Sequence, residues 1–435
     1  MVSLALCMLL PSLSTSIANV ALPTLAVALG ASFQQVQWVV LAYLLATTTL
    51  IVGVGRLGDL AGRRRLLLAG IFLFSTASVL CGVASGLGLL IAARALQGLG
   101  AAVMLALSMA FIGEVVPKAK VGSAMGLLGT MSAAGTALGP TLGGVLIAGF
   151  GWRAIFVINL PLGMLALGLA LRHLPADRRA VQTAHPGFDY LGTSLLALTL
   201  AAYALSMTLG RGSFGVPNVA LLAAAALGVW LFVISQRQAL SPLLRLALFR
   251  DAKVSSGLAM SALVSTVMMA TLVVGPFHLS QGLHLDTALV GLAMSVGPII
   301  AALIGVPAGR AVDRFGARHM SILGLAVMAL GCIAMCLAQI TPGIAGFVIP
   351  MASIAAGYAL FQAANNTAVM KDASPDQRGV LSGMLNLSRN LGLVTGAAVL
   401  GAVFAVLGMP GTFAVAATLI VVALLIAAST PRKPL

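Results

Sequence analysis

The sequence predicts an all-α integral membrane protein of fourteen spans, on three observations. The chain has 435 residues, of which 60% are hydrophobic and only 8% charged, whereas soluble domains carry roughly 25% charged residues. Apolar runs long enough to cross ~30 Å of hydrocarbon recur along its whole length. All Lys and Arg residues except Arg94, Arg153, Arg211 and Arg389 fall in every second gap between those runs. That alternation is expected of a chain threading a bilayer with its basic loops in the cytoplasm.

In order, the spans lie near 3–29, 36–58, 66–84, 88–113, 121–149, 153–173, 189–209, 216–236, 254–279, 287–309, 319–338, 343–369, 378–407 and 411–429. The first has no basic stretch ahead of it and is read as a resident helix rather than a cleaved leader. Gaps after even-numbered spans hold Arg63, Arg64 and Arg65; Lys118 and Lys120; Arg178 and Arg179; Arg237, Arg245, Arg250 and Lys253; Arg314 and Arg318; Lys371 and Arg378; and, at the tail, Arg432 and Lys433. Both termini are therefore expected in the cytoplasm. Polar, basic stretches at 172–188 and 237–253 isolate spans seven and eight. The expected organisation is a six-helix bundle over 1–173, a linker with two inserted helices over 174–253, and a second six-helix bundle over 254–435.

A net charge of +15 would suggest nucleic acid in a soluble chain. Here no basic stretch is both long and aromatic, and the cations read as anchors facing anionic lipid. Cys7, Cys81, Cys332 and Cys336 all lie in apolar runs and read as small buried hydrophobes without a disulfide. Cys332 and Cys336 share a helix face, but without His or acid nearby they make a poor metal site. No metal or other cofactor is expected. Ser, His and Asp never cluster, and no phosphate-binding GxxxxGKS loop is present, so neither an enzyme nor a built-in ATP motor is expected.

The chain repeats itself. Gly55-Arg56-Leu57-Gly58-Asp59-Leu60-Ala61-Gly62-Arg63-Arg64 follows span two, and Gly309-Arg310-Ala311-Val312-Asp313-Arg314-Phe315-Gly316-Ala317-Arg318 follows span ten. Duplicated halves are how many secondary transporters build a central pathway.

At these residues the chain resembles the major facilitator superfamily, specifically its fourteen-helix drug–proton antiporter branch, over essentially its full length. GRLGDLAGRRR at 55–65 is similar to the superfamily's loop between helices two and three. Arg94-Ala95-Leu96-Gln97-Gly98 is similar to its R-x-x-Q-G element, and Gly135 through Gly144 to its antiporter signature. Ile17 through Pro23, Gly151-Trp152-Arg153 with Phe156, Asn159 and Pro161, and Arg378-Gly379 through Arg389-Asn390 are further branch-like segments. The resemblance implies a fold of two six-helix bundles plus the inserted pair, in the cytoplasmic (inner) membrane of a bacterium. It also implies a monomer with a small-molecule substrate, membrane lipid and protons as partners.

The resemblance further implies a conformational switch of Gly55, Asp59, Gly62, Arg63, Arg64, Glu114 and Asp313. Asp59 would cap the penultimate helix near Asp376–Arg378 and pair with nearby Arg, and Glu114 would partner Arg63 or Arg64. A carboxylate at a helix start is favourable by ~0.3–1 kcal/mol; the competing reading is solvated loop charge. Gly135, Gly139 and Gly143 recur every four residues and line one helical face, with Gly144 beside them, while Pro140 removes a backbone donor and bends the helix. Such a face suits two bundles that rock against each other; the alternative is glycine packing alone.

One departure limits the mechanism. Helix one of the family carries an acid where this chain has Ser14, and a serine cannot hold and release a proton near neutral pH. All nine acids, Asp59, Glu114, Asp177, Asp189, Asp251, Asp286, Asp313, Asp372 and Asp376, are expected in loops or at helix ends. Arg94 and Arg389 lie deeper. An unpaired Arg in hydrocarbon costs at least ~2.5–3.5 kcal/mol, so both are expected to face a polar cavity lined by Ser14, Asn19, Gln97, Asn159, Asn365, Asn366, Asn386 and Asn390. The competing reading bonds both guanidinium groups to backbone carbonyls of neighbouring helices. His278 titrates in a useful range but reads as structural.

The leading expectation is a secondary transporter exporting small amphiphilic molecules by alternating access, proton-coupled if another group replaces the missing acid. The alternative is a facilitator or uptake carrier for an anionic or neutral metabolite. A transporter-like sensor comes last.

Overall fold

The computed structural model describes residues 1–115, 121–175, 177, 188–209, 215–239, 243, 246–337, 343–370 and 375–429. Among them every regular element is helical, because in lipid a spanning segment must satisfy its backbone within itself. The first half comprises α1 (Val2–Ala28), α2 (Phe33–Val36), α3 (Trp38–Ile51), α4 (Val54–Ala61), α5 (Arg63–Gly82), α6 (Leu87–Val115), α7 (Val121–Phe150), α8 (Ala154–Val157) and α9 (Asn159–His173). The inserted pair is α10 (Tyr190–Thr208) and α11 (Val216–Gln238). The second half comprises α12 (Ala252–Phe277), α13 (Thr287–Phe315), α14 (Ala317–Cys336), α15 (Ala345–Met370), α16 (Pro375–Thr395) and α17 (Gly401–Ser429).

Twelve helices among the described residues are long and apolar enough to cross a membrane, and the bent pair α3–α4 makes thirteen. The last stretch, Gly383–Ser429, is 47 residues long, about 70 Å at 1.5 Å per residue and so enough for two crossings. It breaks at Gly408, whose φ of 64° and ψ of −164° leave the helix just ahead of Pro410. Large apolar side chains on the outside, such as Phe72, Trp230 and Leu303, are what a lipid-facing surface requires. The chain forms two compact units, one with α1–α9 and the inserted helices, the other with α12–α17.

Span two differs from its expectation of one helix over 36–58. α3 and α4 meet at a 59° bend. Thr47, Thr48 and Thr49 donate their hydroxyls back to Tyr43 O, Leu44 O and Leu45 O at 2.8, 2.6 and 2.8 Å, a pattern that bends helices. Gly53 at the break has poor helix propensity. The segment 55–65, expected as a loop, is thus a short helix followed by the start of α5.

The sequence repeat is reproduced in backbone geometry. Gly62 and Gly316 precede α5 and α14 with φ of 93° and 85°, values that a side chain disfavours. Two residues on, Arg64 donates to Leu171 O at the end of α9, and Arg318 donates to Ala428 O at the end of α17, both at 2.6 Å. Each guanidinium answers a carbonyl left open by a helix terminus. Helix contacts correspond as well. A Cβ on Gly100 of α6 would lie 2.8 Å from Gly70 O and 2.7 Å from Phe74 N of α5, and one on Gly357 of α15 would lie 2.7 Å from Met328 N of α14.

Backbone atoms cannot move aside cheaply, so Gly100→Ala should cost about 1–3 kcal/mol, the usual range for overpacking. Gly55→Ala, with nothing within 4 Å of its added Cβ, should be neutral or slightly stabilising through helix propensity. Thermal unfolding of the two purified variants in detergent checks the contrast.

Candidate functional site

The core of the first unit holds a polar chain running through four helices. Arg94 of α6 is fully buried. Its Nε donates to Val39 O of α3 at 2.9 Å, and its Nη1 donates to Ser14 Oγ of α1 at 3.0 Å and to Gln97 Oε1 at 2.5 Å. Gln97 in turn donates from Nε2 to Ser78 Oγ of α5 at 2.6 Å, and the Ser78 hydroxyl donates to Phe74 O at 2.7 Å. The guanidinium carbon sits 4.2 Å from the centre of the Tyr43 ring and 5.9 Å from that of Phe156, within reach of cation–π attraction. Tyr43 is anchored by its hydroxyl, which donates to Pro11 O at 3.1 Å.

Every group bonded to Arg94 among the described residues is neutral, and its Nη2 is buried without a hydrogen-bond partner. Bonds to an oxygen triad and two aromatic faces offset part of the cost of burying the charge. Ser14 touches the guanidinium from the position where the resemblance puts an acid. It supplies a hydrogen bond but no countercharge.

Asn19, on the same helix, is fully buried; its Nδ2 donates to Thr15 O at 3.1 Å while its Oδ1 has no partner. Asn159 at the start of α9 is also fully buried, with neither amide atom partnered. Buried polar groups of this kind cost ~1–3 kcal/mol unless answered.

The glycine face of α7 is used within its own unit. Cβ atoms on Gly135 and Gly139 would lie 2.5 Å from Leu9 O and Ser16 Cβ of α1, and one on Gly143 would lie 2.8 Å from Ile17 Cγ1. The face expected to serve rocking between bundles lies against α1 in this structure. Hydroxyls stitch the same seam, with Ser12 and Ser132 sharing a 2.6 Å hydrogen bond and Ser16 donating to Thr136 O at 2.8 Å. Gly144 and Pro140 are buried beside them. In the second unit Gly392 of α16 and Gly396 just beyond it approach Ala262 O and Thr266 O of α12 in the same way.

Of the expected switch residues, Asp59 is exposed on α4 and accepts from Arg63 at 2.9 Å, an exposed pair worth ~0–1 kcal/mol. Gly55 is exposed, and Gly62 turns the chain into α5. Asp313 is exposed on α13. The side chains of Glu114, Asp376 and Arg378 lie outside the described residues. Four other acids serve helix starts: Asp177, Asp189, Asp251 and Asp286 accept from backbone amides of Arg64, Gly192, Lys253 and Leu289.

The second unit uses its amides differently. Asn365 of α15 is buried and donates to Gly257 O of α12 at 3.0 Å, so its donor is a helix tie, while its Oδ1 is buried without a partner. Asn366 is exposed, Asn386 half-buried and Asn390 buried. Arg389 is half-buried, with a buried Nε that has no partner among the described residues. Ser388 secures α16 by donating to Leu258 O at 2.5 Å. His278 lies against the Phe347 ring, centroids 6.3 Å apart. Arg153, outside the basic pattern, stacks 4.2 Å over Trp152 and donates to Ala84 O at 3.2 Å, closing the end of α5.

Sequence reasoning brought Ser14, Arg94 and Gln97 together. It missed Ser78 and Tyr43, each a lone polar group inside an apolar run, and the carbonyl of Val39, which has no sequence signal.

Comparison with known proteins agrees with this architecture. The family model described as Major Facilitator Superfamily matches residues 4–277 and 256–434. The riboflavin transporter RibZ of Clostridioides difficile (strain 630) is 29% identical, covering 91% of this chain and 85% of its own. The multidrug resistance protein Stp of Mycobacterium tuberculosis (strain ATCC 25618 / H37Rv) is 32% identical, covering 90% and 73%. Among solved structures, the inward-open xylose transporter XylE from E. coli superposes with a TM-score of 0.71 at 16% identity, covering 100% of this chain and 96% of that one. With two helical units, a repeated Gly-Arg-Asp-Gly-Arg segment and a family match along nearly its whole length, the chain belongs to the major facilitator superfamily and is a multi-pass membrane transporter.

Proposed function

We propose that the chain exports small amphiphilic molecules from the bacterial cytoplasm by alternating access, as a monomer in the cytoplasmic membrane with both termini inside. The export reading is supported by relatives named a multidrug resistance protein, a drug efflux pump and a probable actinorhodin transporter. The observation that carries its chemistry is Arg94, a buried guanidinium whose described partners are all neutral and whose Nη2 is open. A site with that fixed charge favours anionic or neutral amphiphiles. A permanent cation ~6 Å away would be repelled by roughly 3 kcal/mol at an effective dielectric of ~20.

The same observation supports a second reading, carriage of an anionic or neutral metabolite without proton exchange. Ser14 cannot cycle a proton, and the described acids lie at helix ends or on exposed faces. The relative named as a riboflavin transporter fits this reading as readily as export.

Flux in everted and right-side-out vesicles, with and without an imposed pH gradient, separates the two. Pumping driven by the gradient supports antiport, and equilibration regardless of it supports the uncoupled carrier. An anionic dye should be carried at least tenfold faster than a quaternary ammonium dye, the factor that ~1.4 kcal/mol represents; the reverse order would defeat the charge argument. Ser14→Asp should pair with Arg94, cut anionic-dye flux about tenfold on the same scale and make the residual flux respond to the pH gradient. Fluorescent-protein fusions at each terminus should both be bright if the ends are cytoplasmic.

A further inference from the structure

The bend between α3 and α4 is gripped by residues that flank the inserted helices. A Cβ on Gly53 would lie 2.8 Å from Phe188 Cε2 and 3.6 Å from Leu243 Cδ2. Phe188 precedes α10 and Leu243 follows α11. The Phe188 and Tyr190 rings meet edge-on with centroids 4.8 Å apart. Asp189 joins the two helices at this end, accepting from Gly192 N of α10 at 2.7 Å and from Gln236 Nε2 of α11 at 2.6 Å.

A third residue acts one step further along the switch. The start of α5 is preceded by Gly62, which has no side chain to accept the second and third amides of the helix, the usual duty of a capping residue. Asp177, four residues beyond α9, performs it from outside: its Oδ1 and Oδ2 accept from Arg64 N at 2.7 Å and Arg65 N at 3.2 Å. A carboxylate at a helix start is also favoured by the helix dipole. A Cβ on Gly62 would strike this carboxylate at 2.5 Å, so Gly62 is needed for the approach as well as for its φ.

The second repeat serves as an internal control. There α13 runs unbroken from Thr287 to Phe315. Gly316, the counterpart of Gly62, has nothing within 4 Å of an added Cβ. Bend, wedge and external cap therefore occur together in the half beside the insertion and are all missing, among the described residues, from the other.

We propose that the inserted pair positions the first-half switch helix: Phe188 and Leu243 wedge the α3–α4 bend at Gly53, Asp177 fixes the start of α5, and together they limit how far α4 swings during transport. These three are positioning residues. They reach substrate, if at all, only through α4.

Pulsed electron-paramagnetic-resonance distances in the full chain, reconstituted in lipid nanodiscs, test this. Spin labels replace Leu60 on α4 and Leu171 on α9, both exposed, in a Cys336→Ser background that removes the one native thiol that is not buried. Wild type should give one narrow distribution. Phe188→Ala and Asp177→Ala should each broaden it or shift it by about half a helical turn, ~3 Å, while Asp177→Asn, which keeps an acceptor, should stay close to wild type. Gly53→Ala should shift it too, and adding Phe188→Ala should relieve that shift, a non-additive result that contacting residues produce. A second pair on Phe315 and Leu425 should not respond. If Phe188→Ala does not fold, Phe188→Leu replaces it. Folded variants that keep the wild-type distribution, or equal changes at the second pair, would overturn the proposal. The readout needs no substrate, so its outcome is independent of which compounds are carried.

Discussion

Hydrocarbon offers no hydrogen bonds, so each polar group inside this protein has to be answered by the protein itself. That constraint makes every regular element among the described residues helical, and it also governs the side chains. Hydroxyls of Thr47, Thr48, Ser75 and Ser78 return to carbonyls one turn back. Asn365 and Ser388 fasten to carbonyls of α12. Against this economy the unanswered atoms of Arg94, Asn19 and Asn159 stand out, because each forgoes ~1–3 kcal/mol that a partner would recover.

Arg94 shows how a charge can be kept in such a place. Its guanidinium is held from four sides by a carbonyl, a hydroxyl, an amide and a tyrosine face, and none of these can take up its charge. Carrying Ser14 rather than an acid therefore leaves the hydrogen-bond geometry intact but changes the electrostatics. The carboxylates described elsewhere act at the ends of helices, where water and exposed amides are available.

The duplicated halves share a plan but not a mechanical state. Both use a left-handed glycine to start their third membrane helix and an arginine to close their last one, and both bring paired helices together through glycines. The inserted pair flanks the bend of α3 and α4 in the first half, whereas α13 of the second half is unbroken among the described residues. Exposed ion pairs such as Asp59–Arg63 are too weak to impose that bend; the Phe188 ring packed at Gly53 and the external cap beyond Gly62 are better suited to it.

Class, approximate spans and the internal repeat were legible from the chain alone, since hydropathy, charge alternation and motif spacing are local properties that lipid enforces directly. So were Ser14, Arg94 and Gln97 as a group, because a deeply placed Arg requires polar neighbours and the motifs supply them. The sequence could not show that the glycine face of α7 is occupied by α1, that residues 54–61 form a bent-off helix, or that Asp177 serves a helix more than a hundred residues earlier. Those outcomes depend on which helix faces meet and on carbonyls such as Val39 O, and a one-dimensional pattern carries no record of either. Tertiary packing alone decided them.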